Sequence, residues 1–125
     1  MAHVVAFIPD LLFGSRVQAD LIVGGHTVDL VGDPNSLGEA LSGAGVLVVD
    51  LTDEASGRAD LLESLSAEGG LDGIRTLAFY SHVEVSVRDR AESAGFDMIV
   101  PRSRMAREGA GLVSKLAGGE NGASR

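Results

Sequence analysis

The chain has 125 residues, 45% of them hydrophobic and 22% charged, which suits one domain able to bury roughly two-thirds of its unfolded surface in a single core. The absence of Cys excludes disulfides, thiolate metal sites and thiol nucleophiles. A net charge of -8, no Trp and 4% aromatic residues argue against a phosphate-backbone binder and against base stacking, so nucleic acid is not an expected partner.

The charge is unevenly placed. Residues 1–100 carry five Arg against sixteen acids, a net of -11, whereas residues 101–125 carry five Lys or Arg against two Glu, a net of +3. No apolar run approaches the ~20 residues of a membrane span. The start MAHVVAFIPD lacks the charged beginning and small-residue cleavage site of a signal peptide. A cytoplasmic protein without membrane contact is the expectation.

In chain order, Val4 to Ile8 form a continuous apolar run ended by Pro9-Asp10, the pattern of a strand buried on both faces. Phe13, Val17 and Leu21 then recur every four residues until Gly24-Gly25, which predicts an amphipathic helix and its stop. Thr27–Val31 reads as a second strand, followed by the turn cluster Gly32–Asn35. Ser36 and Glu39 have capping-box spacing for a short helix. Val46–Leu51 is the most continuous apolar run, with Asp50 near its end, and predicts the central strand. Leu61, Leu62 and Leu65 place a helix over about 53–67, stopped at Gly69-Gly70.

After a loop through Asp72-Gly73, Thr76–Tyr80 predicts a fourth strand. Ser81 and Glu84 have capping-box spacing ahead of a helix bearing Val83, Val87, Ala91 and Ala94. Gly95 ends it, Asp97–Val100 predicts a fifth strand closed by Pro101, and Met105, Leu112, Val113 and Leu116 mark a last helix. Gly109 and Gly111 each cost that helix about 1 kcal/mol relative to Ala. Residues 118–125 lack core-forming side chains and are expected to be a disordered tail after a single domain over 1–117. Five βα units predict a doubly wound parallel sheet, with ligands at the carboxyl ends of the strands where strand order reverses.

Asp10 follows the first strand, Asp50 ends the third, Ser81 ends the fourth and a basic residue follows the fifth. This order resembles the receiver domain of two-component response regulators over residues 3–117, on single-residue motifs. The resemblance implies the flavodoxin-like (CheY-like) α/β fold with strand order 2-1-3-4-5. It implies Asp50 as acceptor of a phosphoryl group from a histidine kinase, with Ser81 and Arg102 contacting that group. It also implies Mg²⁺ held by Asp10 and Asp50. A divalent ion suits this chemistry because it neutralises the repulsion between a carboxylate nucleophile and phosphate oxygens.

Two positions depart from the family. Pro9-Asp10 stands where two adjacent acids are usual, so the metal site loses a ligand. Val100-Pro101-Arg102 stands where Lys followed by Pro is usual. Counting from Gly95, Arg102 takes the Lys position. Arg keeps the charge with a planar fork in place of a point charge.

Each residue also suits a plainer role. Asp50 could serve the turn after its strand, Asp10 could cap the first helix, and Ser81 could cap the helix after the fourth strand. His82 beside Ser81 does not make a nucleophile–base pair, because adjacent residues leaving a strand point apart. His3 and His26 have no metal-ligand spacing. Arg102, Arg104 and Arg107 form a basic cluster suited to a solvated helix face or to a partner.

No GxGxxG follows the first strand, and no GxxxxGK[ST] occurs. The expected function is therefore a stand-alone receiver-like module that acts by protein–protein contact with a kinase or effector, degenerate at its metal site, rather than an enzyme. Self-association is left open. The rival is a small flavodoxin-like enzyme or binder of a phosphorylated metabolite or nucleotide at the same strand ends.

Overall fold

The structure, a computed structural model, describes residues 2–81 and 85–118. Strands β1 (His3–Phe7), β2 (Thr27–Val31), β3 (Val46–Asp50), β4 (Arg75–Tyr80) and β5 (Met98–Pro101) alternate with helices α1 (Leu11–Val23), α2 (Leu37–Ala40), α3 (Ala55–Ala67), α4 (Val85–Ala94) and α5 (Arg102–Ala117). The sheet is parallel in the order β2-β1-β3-β4-β5, the flavodoxin-like arrangement expected. Strand order reverses at β1 and β3, so their carboxyl ends, with those of β4 and β5, open at one edge. Among the described residues, no helix is long and apolar enough to cross a membrane.

The two faces of the sheet bury different side chains. Val4, Ala6, Val46, Val48, Leu77, Phe79 and Val100 pack against Phe13, Val17 and Leu21 of α1 and Met105, Leu112, Val113 and Leu116 of α5. The alternate residues Val5, Phe7, Leu47, Val49, Ala78 and Tyr80 pack against Leu37, Leu62 and Ala91 on the other side. Period-2 strands between two helical layers explain why the strands read as unbroken apolar runs.

Several boundaries differ from the sequence reading. The Ser36–Glu39 capping box does not form: a 3₁₀ turn over Pro34–Ser36 comes first, capped by Asp33, which accepts from the Asn35 N–H at 3.0 Å. Ser36 already has helical backbone angles and makes no side-chain cap bond, because a capping residue needs extended backbone to reach forward. β3 ends at Asp50, one residue before Leu51, and α3 starts at Ala55.

Asp97 stays outside β5 and instead binds β4. Its Oδ2 accepts from the Thr76 N–H at 2.8 Å and the Thr76 hydroxyl at 3.2 Å, while its own N–H donates to Thr76 Oγ1 at 3.0 Å. Pro101 belongs to β5, an edge strand, where a missing N–H is tolerated. His82, Val83, Glu84, and with them the Ser81–Glu84 box, lie outside the described residues, as do residues 119–125 of the expected tail.

Helix α5 is continuous through both of its glycines. It meets the α1–β2 turn in two ways. His26, 3% exposed, accepts the Ala2 N–H on Nδ1 at 3.0 Å, which leaves the proton on Nε2 to face Ser114 Oγ at 3.1 Å and the Ala110 carbonyl at 3.3 Å. Gly24 lets α5 come close, since a Cβ there would stand 2.6 Å from the Ala110 Cβ.

On the opposite face Arg90 of α4 reaches α3, donating to Glu63 Oε1 at 2.9 Å, to Glu63 Oε2 at 3.2 Å and to Asp60. The hydrogen bonds to Glu63 and then Asp60 hold its guanidinium above its ordinary pKa. At the solvent edge such a pair orients two helices more than it stabilises them. The α1–α5 contact carries a direct test. Gly24→Ala is expected to destabilise the fold by about 1–3 kcal/mol, as overpacking of a tight contact does. Adding Ala110→Gly should recover most of that loss, less about 1 kcal/mol for Gly inside a helix, read from urea midpoints.

Candidate functional site

The carboxyl edge of the sheet carries a cleft of about 470 Å³ lined, among the described residues, by Asp10, Thr52, Ser81, Arg102, Ser103 and Ala106. The last registered pair of β4 and β5 is Tyr80 with Pro101. One residue further on, Ser81 and Arg102 therefore leave neighbouring strands side by side. Three of the four residues expected at the site thus share one cleft. Asp50 is not among its lining residues.

Asp50 is 3% exposed at the end of the fully buried β3. Its Oδ1 accepts from the Thr52 N–H at 2.7 Å and from the Thr52 hydroxyl at 2.5 Å, a local turn of the kind Asp makes two residues back along a chain. Thr52, which holds this carboxylate, is itself one of the residues lining the cleft. On the backbone side the Asp50 carbonyl accepts from Arg58 Nη1 at 2.7 Å. The Arg58 side chain is only 10% exposed. Its guanidinium lies 5.4 Å from the centre of the Phe7 ring, and Nη2 is 3.9 Å from Glu54 Oε2. Glu54, just before α3, has φ 49°, left-handed backbone that is uncommon outside Gly.

Sequence reasoning did not single out Thr52 or Arg58. Thr52 had a signal, its i+2 spacing from an acid at a strand end. Arg58 had none, because on a helix it reads as one more solvated cation.

Asp10 performs the plainer role weighed for it and one more. Its Oδ1 caps α1 by accepting the Phe13 N–H at 3.2 Å, and its Oδ2 faces Arg102 Nη2 at 3.8 Å. The Arg102 guanidinium lies 4.0 Å from the centre of the Phe13 ring, within cation–π range. Phe13 is in turn backed by Phe79, ring centres 5.3 Å apart. As the first residue of α5, Arg102 sits at the positive end of the helix dipole, where a cation is disfavoured. Asp10 and the Phe13 ring offset that cost.

These residues do not fit the Mg²⁺ site that the family resemblance implies. Mg²⁺ takes near-octahedral oxygen ligands, usually one or two carboxylates with phosphate and waters. Here one Asp10 oxygen caps a helix and the other faces a guanidinium, while one Asp50 oxygen is taken by both Thr52 donors. Among the described residues no three acidic or imidazole side chains come together to hold a metal.

No family model matches the sequence, and no curated protein matches it either. Solved structures do match the fold. The signal receiver domain of NarL from Mycobacterium tuberculosis superposes with a TM-score of 0.78 at 18% identity, covering 95% of this chain and 98% of that one. The isolated REC domain of RcsB from Salmonella enterica serovar Typhimurium, in the apo form, gives 0.81 at 13% identity, covering 97% and 91%. The receiver domain of the Francisella response regulator 1452 gives 0.80 at 12% identity, covering 94% and 98%. The fold is that of response-regulator receiver domains, and identities this low carry the fold alone.

The Arg58 contact is testable by itself. Arg58→Met keeps the stem against Phe7 but removes the charged donor, and should cost about 1.5–3 kcal/mol in urea unfolding, the scale of a hydrogen bond to a charged group.

Proposed function

We propose that the chain is a receiver-like signalling module of the cytoplasm that acts by protein–protein contact, with Asp50 at the phosphoacceptor position and no dependence on its phosphorylation. The observation that carries this reading is the state of Asp50 within a receiver fold: it ends the central strand, yet its carboxylate is buried and held by Thr52. A phosphoryl donor would meet a carboxylate with one oxygen already held by two Thr52 hydrogen bonds, and without a divalent ion to neutralise the incoming oxygens. The two departures in sequence, Pro9 for an acid and Arg102 for Lys, support the same reading.

The partner-binding face is the one formed by α4, β5 and α5, carried over from the family. Its cations are the exposed Arg107 and the half-buried Arg104, and both lie near Glu108, at 3.6 and 3.5 Å. A kinase or effector protein presenting acidic side chains, or a second copy of the chain, suits this face. The cleft itself, with three hydroxyl side chains and a guanidinium, is what favours the second reading, a binder of a phosphorylated metabolite or nucleotide.

Incubation with acetyl phosphate and Mg²⁺, followed by intact-mass spectrometry and peptide mapping, should show no base-labile adduct on Asp50. A stoichiometric adduct there overturns phosphorylation independence. Site-specific crosslinking from α4 and α5 in cells should capture a protein partner, and Arg104→Glu with Arg107→Glu should abolish that capture while Asp50→Asn leaves it intact. Stabilisation of the protein by phosphorylated metabolites or nucleotides, without any partner captured, would overturn the module reading in favour of the second one.

A further inference from the structure

We infer that the Arg102 guanidinium is the resident cation of the cleft: it occupies Asp10 in place of a divalent ion, makes the site metal-independent, and ties the start of α5 to the start of α1. The inference deepens the proposed function, since it states why a module of this fold would work without phosphoryl transfer. Its geometry stands apart from that reading, in the positions of three side chains.

Arg102 is oriented by two independent contacts, one with Phe13 of α1 and one with Asp10, the residue that caps it. The Phe13 ring, 7% exposed, forms a platform 4.0 Å beneath the guanidinium, and Asp10 Oδ2 lies 3.8 Å from Nη2. A planar guanidinium can lie flat on a ring and still point an edge at a carboxylate, which a Lys ammonium cannot do. The platform is itself fixed, because Phe13 belongs to the buried layer under the sheet and packs against Phe79. The charges nearest the cleft then cancel in a defined way. Asp10 answers Arg102, and Asp50 is 3% exposed with one oxygen held by Thr52. A divalent ion entering the cleft would have to displace a like charge from Asp10 first, and would find Pro9 where a further acid could have helped. An exposed pair of this kind contributes little stability. Its effect is on which cation Asp10 faces.

Mn²⁺ serves as the probe, read by the loss of its free-ion electron paramagnetic resonance signal, with the effect of Mg²⁺ on Tm as a second measurement. Wild type is expected to bind no Mn²⁺ at millimolar concentration and to show no Mg²⁺ shift in Tm. Arg102→Met, with its fold checked by circular dichroism, frees Asp10 and should raise Mn²⁺ affinity about tenfold or more, the scale of one unit charge removed near a protein surface. Adding Asp10→Asn, which preserves the helix cap, should abolish the gain.

Mn²⁺ binding by wild type as tight as by Arg102→Met, or a Mg²⁺-dependent rise in wild-type Tm, overturns the inference. The wild-type measurements stand even if Arg102→Met does not fold. None of them depends on a signalling partner, so failure here and failure of the partner-capture experiment are separate results.

Discussion

The structure depends on the complete burial of β3. Every residue from Val46 to Asp50 is buried, flanked by β1 and β4 in a parallel ladder and covered by helices on both faces. A parallel strand in this position has no solvent side, so its side chains must satisfy two cores at once. Val46 and Val48 serve one, Leu47 and Val49 the other. The strand therefore delivers its last residue, an acid, to the carboxyl edge with little exposure. The hydrogen bonds from Thr52 and Arg58 follow from that placement, because a buried carboxylate and a buried carbonyl must both find donors.

That constraint shapes the chemistry of the edge. In most reasoning about carboxylates at a strand switch point, the groups are taken to face a ligand. Here the protein itself supplies partners: the Phe13 N–H and the distant Arg102 for Asp10, and the two donors of Thr52 for Asp50. Only Asp50 is buried; Asp10 and Arg102 face each other at the solvent edge.

Most of the architecture was legible in the sequence because two-sided burial leaves a strong imprint. Uninterrupted runs such as Val46–Val49, separated by four-residue periodicity and glycine stops, specify strand, helix and order with few alternatives. What failed to read were decisions between neighbouring polar groups. Ser36 with Glu39 has the spacing of a cap, but Asp33 lies earlier and Pro34 presets the turn, so the earlier acid takes the cap. Asp97 reads as the start of a strand, yet its carboxylate is better used across the gap to Thr76. At the site, single residues marked the edge where Asp10, Ser81 and Arg102 meet. Spacing alone could not show that Phe13, a core residue by its periodicity, would present its ring to Arg102, nor that Arg58 would reach back eight residues to a carbonyl. Both are contacts between elements, and such contacts have no periodic signature.

The attachment of α5 has a structural consequence. Arg102 rests on α1 at one end of the helix, and His26 meets Ser114 at the other. Twelve residues separate these two points, about 18 Å along a helix axis. The second of these points belongs to the α1–β2 turn, where His26 also accepts the Ala2 N–H and Gly24 lies against Ala110. The helix thus joins the cleft to the opposite, amino-terminal edge of the sheet through contacts at both of its ends.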